Sequence, residues 1–171
     1  MKRLQGRPFF AVSGVIAALV LAILACSGTP ASTMNEGKGT RNDPVPAGKY
    51  MITNKYDVRA QAVSYVDTQD PPSETDEYRK VQFQIKCTKS PDDICDLSEI
   101  RDSLKLVSTT GIIYDSVPGV TLPPSDKPLQ GEILGGAEQV GWLVYEIPIG
   151  VEVKLAMAEY DTDRRGFFSL P

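Results

Sequence analysis

Hydrophobic and polar residues alternate strictly in VQFQIKC, where Val81, Phe83, Ile85 and Cys87 stand between Gln82, Gln84 and Lys86. Period two sends successive side chains to opposite faces, so this stretch predicts a strand with one buried and one wet face. VEVKLAM repeats the pattern, with Val151, Val153, Leu155 and Met157 on one side and Glu152 and Lys154 on the other. VGWLVYEIP differs, because Val140, Trp142 and Val144 alternate with Leu143, Tyr145 and Ile147, leaving both faces apolar. Such a strand is expected to be central and covered on both faces, or covered on one and used for contact on the other. Further strands are predicted at Tyr50 to Val66, as one bent strand or two, and at Leu104 to Val107, Ile112 to Asp115, Glu132 to Leu134 and Phe167 to Leu170. The one helical signal is a short turn over Leu97 to Arg101. With turn residues recurring throughout, the pattern predicts an all-β fold, an antiparallel β-sandwich of about seven to eight strands.

The first residues follow a different rule. Lys2, Arg3 and Arg7 precede an uncharged run from Phe9 to Ala25 whose one polar side chain is Ser13, the layout of a secretory signal peptide. Ile23, Leu24, Ala25 and Cys26 resemble the lipobox of bacterial lipoproteins, and the resemblance implies cleavage before Cys26 and lipidation of its thiol. The alternative is a signal-anchor helix that stays in the chain, for which the run is at the short limit. Ser27 to Asn42 is small and polar, the composition of a flexible tether. The expected organisation is therefore a lipoprotein signal peptide over 1–25, a lipidated cysteine and linker over 26–42, and a sandwich domain over 43–171.

Charge and composition narrow the function. The 171-residue chain has a net charge of −4, and removal of Lys2, Arg3 and Arg7 takes it to −7. Binding to nucleic acid needs a cluster of Lys and Arg to displace counterions from phosphates, and none is present, so no nucleic-acid partner is expected. Histidine is absent. That removes the usual general base at neutral pH and the commonest metal-binding nitrogen. No cofactor is expected.

Cys87 and Cys95 enclose TKSPDDI, and with Cys26 reserved for lipid they form an even pair. Outside the cytoplasm a bridge is the simplest reading. The alternative, two thiolates on a metal, lacks further ligands to complete a tetrahedral shell.

GKGTRNDPVPAGKY at 37 to 50, the Cys87/Cys95 pair before LVSTTGIIYDS, GGAEQVGWLVYEIP at 135 to 148 and the terminal FFSL together resemble an uncharacterised domain widespread in bacterial lipoproteins. That domain is grouped with the immunoprotective extracellular antigen. The resemblance covers most of Gly39 to Leu170 and implies an immunoglobulin-like sandwich and an envelope location. The family has no established catalytic residues to carry over.

Candidate sites are few. DTQDPPSETDE holds Asp67, Asp70, Glu74, Asp76 and Glu77 but lacks the spacing and turn glycine of calcium loops, and it reads as a solvated connection. Asp161 and Asp163 in YDTDRRG read as a turn neutralised by Arg164 and Arg165. Trp142 and Tyr145 offer a surface for sugar or protein contact, against the commoner fate of a core aromatic. The expected function is a membrane-anchored, non-enzymatic module for protein interaction or structure at the cell envelope. It would be held to the membrane through its N-terminal lipid and partnered by an envelope protein. The alternative is an extracytoplasmic domain binding a small molecule or calcium, and the third reading is a histidine-free hydrolase with paired carboxylates.

Overall fold

The computed structural model describes residues 39–66, 72–162 and 164–171. Within them run β1 (Met51–Ile52), β2 (Tyr56–Tyr65), β3 (Asp76–Cys87), β4 (Ile94–Asp96), α1 (Leu97–Ser103), β5 (Leu104–Ser108), β6 (Ile113–Tyr114), β7 (Glu132–Leu134), β8 (Glu138–Pro148), β9 (Val153–Asp161) and β10 (Arg164–Ser169). One sheet has the order β1-β2-β3-β8, the other β10-β9-β5-β6, and β4 pairs with β7 in a separate ribbon. Every ladder between these strands is antiparallel. The chain is an all-β sandwich of two four-stranded sheets.

The alternation in β3 sets the core. Val81, Phe83, Ile85 and Cys87 are buried, and their register partners Leu143 on β8 and Val58 and Ala60 on β2 are buried with them. Leu104, Leu106, Ala156, Ala158 and Phe168 of the other sheet belong to the same cluster. Phe83 and Phe168 meet edge to face with ring centroids 6.1 Å apart. That orientation sets the positive edge of one ring on the negative face of the other. Burying a side chain such as Phe83 is worth about 1.5–3 kcal/mol.

The region Tyr50 to Val66 resolves into two strands because of Thr53. Its hydroxyl oxygen accepts hydrogen bonds from the N–H groups of Lys55 and Tyr56, at 3.3 and 3.0 Å, and the hydroxyl donates to the Tyr56 carbonyl. A side chain that satisfies its own turn's backbone ends β1 and starts β2. Asp96 closes the start of α1 in the same way, accepting from the Ser98 N–H at 2.8 Å while Leu97 and Ile100 bury the helix's inner face.

β8 is covered on both faces around Trp142 to Tyr145, while Val140 on its outer face stays 40% exposed. Leu143, Tyr145 and Ile147 enter the core, Val144 is buried on the opposite face and Trp142 is half-buried there. Its edge away from β3 is closed by the irregular segment 116–129, which carries Pro118, Pro123, Pro124 and Pro128. Val117 N–H donates to the Val144 carbonyl at 2.7 Å, Trp142 N–H to the Lys127 carbonyl at 2.9 Å, and Leu129 N–H to the Trp142 carbonyl at 3.0 Å. Proline cannot donate to a ladder, so this strap satisfies the edge at intervals without becoming a strand. Gly141 is required beneath it, since a Cβ there would stand 2.6 Å from the Leu129 Cα.

Three expectations are corrected. VEVKLAM does form a strand, and as expected Val151 and Val153 pack on the core and Met157 is buried, yet Ala156 and Ala158 of the other parity are the ones that enter the core cluster. The small residues lie inward because they stand opposite Leu104 and Leu106, which fill the space. Gly39 to Asn42, expected in the flexible linker, begins an ordered arm. Phe167 N–H donates to the Gly39 carbonyl at 2.9 Å, and Val45 bridges Phe168 in parallel. Asp76 and Glu77, expected in a solvated connection, open β3 opposite Pro148 and Ile147. The segment 1–25 expected as a signal peptide, Cys26, Asp67, Asp70 and Asp163 lie outside the described residues.

Candidate functional site

Trp142 and Tyr145 do not share a surface. Three positions apart on a period-two strand, they point to opposite faces, a conclusion that the spacing alone contains. Tyr145 is fully buried, and its hydroxyl donates to the Leu104 carbonyl across the sandwich at 3.2 Å. Burial pushes its phenol well above the ordinary value. It is a core residue, and its assignment to a contact surface is corrected. Trp142 lies half-buried on the outer face, with Lys80 Nζ 4.9 Å from its ring centroid. Lys80 is itself ion-paired to Asp126 of the strap, both side chains being largely sequestered. The Lys80 ammonium holds the Asp126 carboxyl below its ordinary value.

Cys87 and Cys95 are joined by a disulfide with Cα atoms 5.9 Å apart. It ties the end of β3 to β4 and so fixes the ribbon against the sheet. Among the described residues no three Cys, Asp or Glu side chains are grouped to hold a metal ion.

The disulfide borders a cleft of about 290 Å³ that sequence reading did not anticipate. Its residues come from four stretches separated in the chain, which meet where α1 packs on β9. Tyr56, Cys95 and Ile100 are buried beneath it. Lys55 and Lys89 border it from neighbouring turns, the Thr88 N–H reaching the Lys55 carbonyl at 3.4 Å. Glu99 of α1 and Glu159, Tyr160 and Asp161 of β9 border it from the other sheet's side. The cleft is thus basic where the first sheet frames it and acidic where α1 and β9 do.

Hydrogen bonding in the cleft has a direction. Ser103 Oγ donates to the Ile100 carbonyl at 2.6 Å, which spends its one proton. The 2.6 Å contact between Tyr56 Oη and Ser103 Oγ therefore has Tyr56 as donor. The Tyr56 oxygen keeps its lone pairs. Burial is the main cause that pushes this phenol up to about 12, so it is a neutral hydroxyl at physiological pH. Asp96 is spent on its helix cap, and Ser98 holds its carboxyl below the ordinary value. Glu159 is ion-paired to Arg165 at 3.0 Å. Lys55 and Glu99 make no ion pair among the described residues.

No protein-family model matches the chain, and no curated protein matches it by sequence. Crystal structures do match by fold. A secreted protein from Mycobacterium tuberculosis, MPT63, superposes with a TM-score of 0.56 at 9% identity, over 74% of this chain and 97% of that one. A candidate lipoprotein from Bacillus subtilis, ycdA, gives 0.53 at 15% identity over 71% of this chain, which spans 38% of that protein. The yjhA protein from Bacillus subtilis gives 0.50 at 12% identity, over 74% and 98% of the two chains. At these identities the likeness is one of fold, and all three share the sandwich without supplying a site.

Proposed function

We propose that the chain is an exported, lipid-anchored sandwich that acts by contact, as a protein-interaction or structural module at the cell envelope. Export is supported by the disulfide, a bond that persists outside the reducing cytoplasm, and by the signal-like layout ahead of Cys26. The fold neighbours described as a secreted protein and as a candidate lipoprotein agree with it. So does the resemblance to lipoprotein domains grouped with the immunoprotective antigen.

The free edge of β2 carries the contact reading. β1 reaches only Asp57 and Val58, and beyond them Gln61–Tyr65 has β3 on one side and no strand on the other among the described residues. This run, QAVSY, is uncharged, and Val63 and Tyr65 are 39% and 63% exposed. Edges are usually blunted by charge or proline, and one left neutral can accept an added strand from a partner. A bulge at Gln61 confines that template to the stretch after it.

Crosslinking on intact cells, followed by affinity capture and mass spectrometry, tests the reading, with Cys26→Ser as the released control. Recovery of one envelope protein, lost with Val63→Lys, is the expected result. Capture unaffected by Val63→Lys would remove β2 from the interface. Retention of fatty-acid label by the Cys26→Ser protein would refute the anchor.

The cleft favours a second reading, an extracytoplasmic domain for a small ligand. Its volume lies near the lower end of ligand pockets, about 300–1,000 Å³. A ligand bound only by the folded state raises the melting temperature with its concentration, and a thermal screen reads that directly.

A further inference from the structure

The cleft's charges say which ligand it would take, an inference that rests on the second reading above. Two opposite charges, with no ion-pair partner among the described residues, border one cavity, Lys55 from the β1–β2 turn and Glu99 from α1. They belong to different sides of the sandwich and form no ion pair with each other. Lys89 adds positive charge beside Lys55 while donating to the Ile94 carbonyl at 2.6 Å, which leaves two of its three N–H groups for other acceptors. Asp161 adds negative charge beside Glu99, with one carboxylate oxygen turned to the Thr162 N–H. Beneath them the Ser103 relay leaves the Tyr56 oxygen as an acceptor with no donor among the described residues.

A dianion would meet Glu99 and Asp161, and a dication would meet Lys55 and Lys89. One ligand satisfies both sides. We propose that the cleft binds a small zwitterion carrying a primary ammonium and a carboxylate, as an amino acid or short peptide does. The ammonium lies toward Glu99 and the Tyr56 oxygen, and the carboxylate toward Lys55. The ammonium supplies the donor that the relay lacks, and each ligand charge meets its opposite at the cleft's rim in a charge-assisted contact.

The test is calorimetric titration of the full chain, solubilised in detergent, with three probes of equal carbon length: γ-aminobutyrate, putrescine and succinate. The expected result is heat of binding with γ-aminobutyrate and at least about tenfold weaker binding of the other two, the loss of one charge-assisted contact. Glu99→Gln and Lys55→Gln, both at exposed positions, should each weaken γ-aminobutyrate by a similar factor while the thermal transition stays in place. Putrescine or succinate binding as tightly as γ-aminobutyrate overturns the zwitterion and leaves the ligand-binding reading standing. Absence of heat with all three probes also overturns the zwitterion. If a thermal screen with neutral sugars and calcium then gives no stabilisation, the ligand-binding reading falls with it.

Discussion

The strap over β8 and the cleft beside α1 both place charge against the sandwich, and they do so to opposite ends. At the strap, Lys80 and Asp126 are sequestered together, Trp142 lies against the ammonium, and the strap's N–H and carbonyl groups pair with β8. At the cleft, Lys55 and Glu99 border one cavity without an ion pair, and the Tyr56 oxygen accepts no hydrogen bond, among the described residues. A closed set of polar groups holds a shape, and an open one retains capacity for something else. Disturbing the strap should therefore cost stability, and changing the cleft's charges should not.

The largest effect is expected where the cleft is built rather than where it is charged. Replacing both Cys87 and Cys95 by Ser should lower unfolding free energy by about 2–3 kcal/mol in urea titrations, since the bridge closes a short loop. A loss well below about 1 kcal/mol would mean that the ribbon holds itself and the bond is incidental. Next comes the strap, where Gly141→Ala forces a methyl group against the Leu129 backbone and should cost about 1–3 kcal/mol.

Lys80→Met comes third, and its penalty should depend on pH. Asp126 has a folded pKa below its unfolded value of about 4, so the pair's contribution is present above pH 4 and is lost as pH falls through the lower folded value. The difference between variant and parent should shrink in that acid window, and a constant difference would assign the effect to packing on Trp142. The smallest effects belong to Glu99→Gln and Lys55→Gln, within about 0.5 kcal/mol at neutral pH, as for exposed charges generally. Losses comparable to those at the strap would erase the distinction between the two regions.

The sandwich was legible because it rests on period two. Val81 to Cys87 and the double-faced VGWLVYEIP each announce their burial, and a disulfide between nearby cysteines needs only an exported setting. What failed was the assignment of faces. In β9 the core cluster takes the small Ala156 and Ala158, which stand opposite Leu106 and Leu104, while the larger Met157 is buried outside that cluster. That information sits in another strand. The cleft was illegible for a related reason, since Lys55, Glu99 and Asp161 are ordinary surface residues until the turn, the helix and the end of β9 meet. Trp142 and Tyr145 are the exception, because their odd spacing on a strand already set them apart.

The arm at Gly39 to Val45 also bears on mechanics. It lies beside β10, with Phe167 N–H bonded to Gly39 and the Val45 peptide bonded to Phe167 and Ser169. Gly39 and Val45 both bond to Phe167, so the arm turns back on one residue and closes a loop whose two ends are held at the β10 edge. Such an attachment behaves as a clamp. The clamp covers the β10 edge, on the opposite sheet from the β2 edge, so a strand added at β2 would not have to displace it.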